Sequence, residues 1–176
     1  MRKTKNEELD RLTIDEFRQT EKVPLVLVLD NLRSMHNVGA AFRTADAFAI
    51  EKIYLCGITA QPPHREIHKT ALGATDSVSW AHEADTTSLC QRLQQDGYEV
   101  LAVEQASEST SLETFQPADG KKYALVFGNE VFGVSDEVVA AVDQCLEIPQ
   151  FGTKHSINVS VSIGVVLWDL VSKLRF

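Results

Sequence analysis

The sequence predicts an α/β domain in which helices cover both faces of a mainly parallel sheet. Three observations support this fold class: short apolar runs recur along the 176 residues, helix-like stretches separate them, and polar residues or glycine flank the runs. Strands that alternate with helices form a parallel sheet because each connecting helix returns the chain to the same end of the sheet. With 44% hydrophobic residues, a chain of this length can bury one substantial core.

The first strand is predicted at residues 25–29. These residues are all apolar, too few for a typical helix, and lie between Pro24 and the polar pair Asp30 and Asn31, as expected of a strand buried on both faces. Similar runs predict strands at residues 53–55, 100–103, 123–127 and 145–148. The stretches between them predict helices at residues 37–48, 86–96, 135–142 and 158–174.

The segment before Pro24 differs from the rest of the chain. It is charged throughout, with Leu9, Leu12, Ile14 and Phe17 at loosely helical spacing. We therefore expect a helical N-terminal extension at 1–23, followed by one domain at 24–176. The extension either packs on that domain or contacts a substrate or a second subunit.

The charge of the chain bears on its partners. Seventeen Lys and Arg against 25 Asp and Glu give a net charge of −8, which opposes non-specific attraction to a polyanion. Binding of a nucleic acid would therefore require a local basic patch. The candidates for such a patch are scattered along the sequence: Arg33, Arg43, Arg65, Lys69 and Lys154.

Cysteine spacing and hydropathy indicate the cellular compartment of the protein. Cys56, Cys90 and Cys145 are far apart and odd in number, so we expect reduced, mostly buried thiols rather than a disulfide framework or a metal knuckle. No stretch reaches the roughly 18 to 20 apolar residues that span a bilayer, and the polar start lacks the apolar core of a signal peptide. These observations predict a cytoplasmic protein that does not bind membranes.

Several function classes lack their motifs. Gly128 and Gly133 have the wrong spacing for a dinucleotide-binding GxGxxG turn, no glycine precedes the Lys-Ser or Lys-Thr pair of a P-loop, and no GxSxG elbow is present. His64 and His68 are one helical turn apart, but Glu66 is not in the HExxH position. We therefore expect a solvated helix there, ending at a glycine cap near residue 73, and no metal site.

Residues 31–43, named motif 1, follow the first strand and lead into a helix. This places motif 1 at the carboxyl end of the sheet, where open α/β folds bind ligands. Asn37 can donate and accept hydrogen bonds at the helix start, Gly39 permits close backbone approach, and Arg43 carries a guanidinium suited to phosphate. The alternative interpretation makes Asn37 a helix cap and Arg43 a solvated surface residue.

Residues 125–135, named motif 2, predict a strand, a Gly-rich turn and a helix capped by Ser135. Gly128 and Gly133 permit a tight bend whose exposed amides can hold an adenosine or a carboxylate. Glu130 lies inside that bend. Its simplest role is to hydrogen-bond loop amides and so make the turn rigid.

Residues 146–158, named motif 3, leave a strand and enter the last helix through Ser156 and Asn158. The helix that follows is apolar nearly all round, with small residues that permit close approach at Ser160, Ser162 and Gly164. A helix that is apolar on every side must be buried on every side. This predicts a subunit interface as well as a core contact, although burial within one chain would also satisfy it.

Together the three motifs resemble motifs 1, 2 and 3 of the TrmH branch of the SPOUT methyltransferases, in the same order and spacing, from about Pro24 to the C-terminus. The segment Ala102-Val-Glu-Gln105 also resembles the part of that family that lies near the cofactor. The resemblance implies an α/β fold with a C-terminal trefoil knot (the SPOUT fold). It also implies that S-adenosylmethionine binds in the knot, held by Val103, Gly128, Ile148 and Ile157, with Ser156 nearby.

The resemblance further implies methylation of a ribose 2′-hydroxyl in RNA by a homodimer. Arg43 and Asn37 would face the RNA, and the partner's motifs would complete the site. Because arginine has a pKa above about 12, it is a poor base. We therefore expect Arg43 to bind an RNA phosphate that takes the proton, while Glu130, Ser156 and Asn158 hold the loops and the ribose.

The choice of RNA rests on the appended segments. Only the short extension precedes Pro24 and no separate RNA-binding domain is visible, so tRNA is the preferred substrate and rRNA the alternative, with no metal required. Two other classes stay open: a non-catalytic SPOUT-fold protein that binds RNA or assists assembly, and a methyltransferase acting on protein or small molecules, which fits the acidic charge better than the motifs.

Overall fold

The computed structural model describes residues 1–5 and 8–175, and in them seven strands form one sheet. The strands are β1 (Val23–Asp30), β2 (Ile50–Cys56), β3 (Trp80–Glu83), β4 (Tyr98–Val103), β5 (Thr110–Ser111), β6 (Lys122–Phe127) and β7 (Gln144–Glu147). Their order is β3-β2-β1-β6-β4-β7-β5, and the neighbouring strands pair in parallel. The predicted α/β fold with a mainly parallel sheet is therefore confirmed.

Helices pack on both faces of this sheet. They are α1 (Ile14–Gln19), α2 (Met35–Ala47), α3 (Arg65–Ala71), α4 (Ala74–Ser77), α5 (Thr86–Gln95), α6 (Asp136–Val139) and α7 (Val159–Arg175). One hydrophobic cluster unites the sheet with α2 and α7, and another unites its opposite face with α5 and α6. Within the described residues, no helix has the length and apolarity that a bilayer crossing requires.

The central strand β1 contributes to both clusters. Leu25, Leu27 and Leu29 pack on the α2 and α7 side, whereas Val26 and Val28 pack on the α5 side. Successive side chains of a strand point to opposite faces. Because both faces are covered, the strand is a continuous apolar run, as the sequence predicted.

Helix α2 begins two residues before the predicted start. Ser34, not Asn37, is its N-cap, and the Ser34 hydroxyl accepts a hydrogen bond from the backbone N–H of Asn37. Gly39 does permit a close approach, but the neighbour is helix α3 rather than a ligand. A Cβ at Gly39 would lie 2.1 Å from Thr70 Oγ1 and 2.4 Å from the Ile67 carbonyl oxygen.

Helix α6 is shorter than the predicted helix at residues 135–142. Ser135 occupies the N-cap position, but its hydroxyl lies 3.3 Å from Asp30 Oδ2 and makes no capping hydrogen bond. The helix ends because Asp143, just before β7, pairs with β4: its backbone N–H donates to the Val100 carbonyl at 2.9 Å. Sheet pairing therefore ends the helix early.

Strands β3 and β5 were not predicted. β3 lies at one edge of the sheet and carries only partly buried or exposed residues, while β5 has two residues at the other edge. Helix α3 does form at the predicted solvated site. It ends at Ala71, and its C-cap is Leu72, at φ 50°, rather than the predicted glycine; Gly73 follows at φ 90° as the N-cap of α4.

In the described part of the N-terminal extension, residues 1–5 and 8–23, the α-helix is the six-residue α1. Thr13 and Glu16 form a capping box at its start, and Phe17 is buried against the domain, whereas Ile14 and Leu12 are exposed. Arg18 donates a hydrogen bond to the Asp76 carbonyl of α4. These contacts place α1 on the body of the domain.

The three cysteine thiols are buried, as predicted. Burial raises the pKa of both Cys56 and Cys90 to about 12. The thiols therefore stay protonated at neutral pH and are poor nucleophiles.

Candidate active site

A cavity of about 490 Å³ opens at the carboxyl ends of β4, β6 and β7. Its walls come from three separate segments, 103–105, 127–133 and 146–162. The open α/β architecture places ligand sites at this edge. The predicted site residues found in its lining are Val103, Gly128, Glu130, Ile148, Ser156, Ile157 and Asn158.

The turn of motif 2 forms one wall of the cavity. Asn129 and Gly133 exchange two backbone hydrogen bonds of 2.9 Å, and Gly133 has a φ of 72°. A Cβ at Gly128 would lie 2.0 Å from the backbone nitrogen of Val134. Both glycines are therefore required, and the predicted tight bend is confirmed.

The side chain of Asn129 holds this turn in place. Its Oδ1 accepts hydrogen bonds from the backbone N–H groups of Val131, at 2.8 Å, and Phe132, at 3.3 Å. Its Nδ2 donates to the Asn31 carbonyl in motif 1 at 2.8 Å. Sequence reasoning missed Asn129, although a Gly-rich bend with free amides was a signal that a neighbouring side chain must accept from them.

Glu130 connects motif 2 to motif 1. Its Oε2 accepts a hydrogen bond from the backbone N–H of Arg33 at 2.9 Å, and its Oε1 accepts from the Ser34 N–H and from Asn37 Nδ2, both at 3.0 Å. Partial burial acts to raise the pKa of Glu130, but these hydrogen bonds outweigh it, so the pKa lies below its ordinary value. The carboxylate is therefore ionised at neutral pH.

Asn37 and Asn158 extend this network to motif 3. Asn37 is 9% exposed, and its Oδ1 accepts a long hydrogen bond of 3.4 Å from Asn158 Nδ2. Asn158 in turn caps helix α7, since its Oδ1 accepts from the Ser160 N–H at 2.8 Å. A hydrogen-bonded network of three side chains, Glu130, Asn37 and Asn158, thus links the three motifs.

The segment after β4 closes the other side of the cavity. Glu104 Oε2 accepts from the Val134 N–H at 3.0 Å, which ties this segment to motif 2. Gln105 Nε2 donates to the His155 carbonyl at 3.1 Å, which ties it to motif 3. The sequence indicated this segment only through resemblance, and the roles of Glu104 and Gln105 were not foreseen.

The lining of the cavity defines the ligand that it suits. Val103, Phe127, Leu146 and other apolar side chains form part of the wall, while loop backbone supplies hydrogen-bonding groups. Glu104 and Glu130 also line the cavity, and their carboxylate oxygens accept hydrogen bonds from loop groups. Such a site suits a ligand that has both an apolar part and hydrogen-bonding groups.

Arg43 lies outside this cavity, on an exposed position of α2 about two turns beyond Asn37. Within residues 1–5 and 8–175, its side chain makes no hydrogen bond or ion pair with another residue. Of the other candidate patch residues, Arg33, Arg65 and Lys154 are exposed, while Lys69 pairs with Glu66 at 2.7 Å. The structure thus does not bring Arg43 and the cavity together within one chain.

The histidine pair has a structural role. His64 is the N-cap of α3, and its Nδ1 accepts from the Glu66 N–H at 3.2 Å. In the part of the chain that the structure describes, no three His, Cys, Asp or Glu side chains are grouped to hold a metal ion.

Comparison with curated proteins finds RNA methyltransferases. The chain is 28% identical over 151 residues to a tRNA (guanosine(18)-2′-O)-methyltransferase of Borreliella burgdorferi, covering 86% of this chain and 67% of that protein. It is 30% identical over 153 residues to a 23S rRNA (guanosine-2′-O-)-methyltransferase of Neisseria meningitidis, covering 87% of this chain and 60% of the relative. The chain thus spans 60 to 67% of the length of these curated relatives.

Solved structures share the fold. The A. aeolicus TrmH/SpoU tRNA modifying enzyme aligns with a TM-score of 0.80 at 25% identity, covering 91% of this chain and 80% of the other. An AdoMet-bound rRNA methyltransferase from Sinorhizobium meliloti aligns with a TM-score of 0.77 at 26% identity, covering 87% and 58%. The sequence profile of the SpoU rRNA Methylase family matches residues 24–168, a range that contains the three motifs. The chain therefore belongs to the SpoU rRNA methylase family.

Proposed function

We propose that this protein transfers a methyl group from S-adenosylmethionine to a ribose 2′-hydroxyl of RNA. The observation that carries the proposal is the cavity, where seven residues selected from the sequence meet although they come from separate segments. The names of the relatives support the reaction class, since the Borreliella burgdorferi and Neisseria meningitidis proteins are named as guanosine 2′-O-methyltransferases.

The cavity suits S-adenosylmethionine. Its volume of about 490 Å³ lies within the usual range of small-molecule sites. Gly128 leaves no room for a side chain where the motif 2 turn folds back. The backbone around Val103, Gly128, Ile148 and Ile157, with Ser156 nearby, would hold the donor. When bound, S-adenosylmethionine supplies an electrophilic methyl group attached to a positively charged sulfur.

The residues of the chain supply positioning. Glu130, Asn37 and Asn158 hold the three motifs in one arrangement through their hydrogen bonds, and fixed alignment of two reactants can supply much of a rate enhancement. Ser156 and Asn158 orient the ribose. Arg43 binds an RNA phosphate, and an oxygen of that phosphate takes the proton from the 2′-hydroxyl.

The proposal includes a homodimer because Arg43 lies away from the cavity of its own chain. Helix α7 exposes an apolar stripe, in which Val161 is 53%, Val165 is 39% and Trp168 is 61% exposed. The Trp168 ring lies 6.2 Å from that of Phe48, at the end of α2. A two-fold contact through this stripe would bury it and would carry Arg43 of one protomer toward the cavity of the other.

The proposal also includes the C-terminal trefoil knot. β4 pairs with β6 on one side and with β7 on the other, so the loops after β6 and β7 flank the segment that follows β4. The hydrogen bond from Gln105, after β4, to the His155 carbonyl, after β7, supports close passage of the last loop beside the segment after β4. Tracing the chain after β7 in a crystal structure tests the threading, and an unthreaded path would exclude it.

We further propose tRNA as the substrate, with rRNA as the alternative. Relatives named for each RNA are about equally similar to this chain, so the assay below includes both. Residues 1–23 would be a separate extension of the catalytic domain at residues 24–176. An enzyme acting on either RNA meets it in the cytoplasm, which is the proposed location.

The test is methyl transfer from isotopically labelled S-adenosylmethionine to tRNA and rRNA from cells that lack the protein. Nuclease digestion and mass spectrometry then identify the product. The proposal expects labelled 2′-O-methylnucleosides with the wild type and a large loss with Asn158→Ala. Binding of donor and RNA without transfer would instead indicate the non-catalytic class, and label in protein or small molecules would indicate another substrate.

A further inference from the structure

We propose that the ring of Phe132 stacks on the base of the nucleotide whose ribose is methylated. This inference rests on the proposed function and names the residue that places the target nucleotide at the cavity. Phe132 lines the cavity, yet it is 84% exposed. Its ring therefore lies at the mouth, where it can touch a molecule that enters from solvent.

The ring is held on a rigid support. Asn129 Oδ1 accepts from the Phe132 N–H at 3.3 Å, and the two backbone hydrogen bonds between Asn129 and Gly133 close the turn around it. Glu104 Oε2 accepts a hydrogen bond of 3.0 Å from the backbone N–H of Val134, the residue after Gly133. A side chain displayed by an ordered turn loses less conformational freedom on binding than one on a free loop.

A stacking contact suits the charge of this chain. The net charge of −8 opposes non-specific attraction to a polyanion, so few phosphate contacts are expected to hold the RNA. A neutral base that stacks on an aromatic ring needs no positive charge, so this contact suits an acidic protein that must hold RNA.

The geometry of the reaction requires such a contact. A ribose that reaches a donor inside the cavity must leave the regular stack of its RNA, and its base then loses a stacking neighbour. Proteins commonly hold splayed-out RNA bases on Phe, Tyr or Trp rings. Because every base has a π face, this contact tolerates different bases. Phe132 is therefore expected to position the nucleotide rather than to select its identity.

Phe151 provides a matched control on motif 3. It is 97% exposed, and it is not part of the cavity lining. If any exposed ring near the site assisted RNA binding, both residues would matter equally. The inference requires that only Phe132 does.

The experiment compares the wild type with Phe132→Tyr, Phe132→Leu and Phe151→Leu. The kcat/KM for RNA, the Kd for S-adenosylmethionine by calorimetry and the oligomeric state by sedimentation are measured for each. Phe132→Leu should lose about fivefold or more in kcat/KM, the lower end of what one stacked base contributes. Phe132→Tyr should stay within about twofold of the wild type because it keeps a stacking ring. Donor affinity and oligomeric state should not change, and Phe151→Leu should behave as the wild type.

Three results would overturn the inference while the proposed function stands. These are an active wild type with an equally active Phe132→Leu, a Phe132→Leu variant whose loss is in donor affinity, or one whose loss is in subunit association. The last two would mean that the ring packs on the donor or on a second copy of the chain. A wild type without RNA methyl transfer would instead remove the proposed function, and this inference with it.

Discussion

Asn37 Nδ2 donates a hydrogen bond of 3.0 Å to Glu130 Oε1, although the two residues lie 93 positions apart in the chain. The same carboxylate accepts from the backbone N–H groups of Arg33 and Ser34. The start of α2 is thereby fixed to the turn of motif 2. The shape of the cavity consequently depends on Glu130. This side chain can be essential without touching the donor or the RNA.

Glu130→Gln should weaken this connection. The NH₂ group that replaces one carboxylate oxygen would face an N–H group and cannot accept a hydrogen bond from it, so at least one of the three hydrogen bonds is lost. We expect methyl transfer to fall by about tenfold or more. The free energy of unfolding should fall by about 1 kcal/mol, because the site is largely solvent-exposed. Glu113→Gln, at an exposed position, is the control. An unchanged Kd for S-adenosylmethionine together with full activity would contradict this role.

The pH dependence of stability tests the same carboxylate. Because the pKa of Glu130 is lowered in the folded state, its contribution is fully present above about pH 4.3, the ordinary pKa of glutamate. The contribution is lost as the pH falls through the lower pKa of the folded state. The difference in unfolding free energy between wild type and Glu130→Gln should therefore be constant from about pH 5 to 7 and shrink below about pH 4. A difference that grows on acidification would be inconsistent with a lowered pKa.

Gly128→Ala should disrupt the cavity directly. Its Cβ would lie 2.0 Å from the Val134 nitrogen and 2.1 Å from the Gly133 carbonyl carbon, and backbone cannot move aside as a flexible side chain can. We expect a loss of about 1–3 kcal/mol in unfolding free energy, as in overpacked sites, and loss of donor binding by calorimetry. Gly152→Ala is the control, since nothing within the described residues lies within 4 Å of its added Cβ. Equal behaviour of the two variants would exclude a special role for the bend.

The features that sequence reasoning found are those with local causes. The run at β1 predicted a strand because burial on both faces requires apolar side chains in succession. The bend at Gly128 and Gly133 was predictable because the turn itself excludes side chains. Helix α7 was predictable from its apolar pattern and its cap at Asn158.

The features that it missed depend on distant partners. Asn129 looks like an ordinary loop residue until its acceptor, the Asn31 carbonyl, is brought beside it across 98 positions. The two edge strands β3 and β5 lack the apolar runs of central strands because one side of each is open. Helix α6 ended early because Asp143 pairs with β4, a contact that no local pattern contains.

The apolar stripe on α7 should hold the dimer together. Val161→Glu places a charge in the proposed contact, where burial without a partner is costly. Sedimentation should show a dimer for the wild type and a monomer for Val161→Glu, with unchanged circular dichroism. Ile58→Glu, at an exposed apolar residue in the loop after β2 rather than on α7, should remain dimeric. A monomeric wild type would remove the dimer from the account.

Mixing two defective variants should reveal whether Arg43 acts across the dimer. In a heterodimer of Arg43→Ala and Glu130→Gln, one site would combine an intact cavity with an intact arginine from the other protomer. In a random equal mixture, about half of the dimers are heterodimers, and each of these has one intact site of its two. About one quarter of wild-type methyl transfer should therefore return. No recovery beyond the sum of the two separate variants would mean that Arg43 serves its own cavity or none.

A crystal structure of the protein with S-adenosylmethionine tests the central claim most directly. The account predicts that the donor lies in the cavity between the motif 2 turn and the motif 3 loop. Donor density at another surface, or a cavity that stays empty at saturating donor, would contradict it.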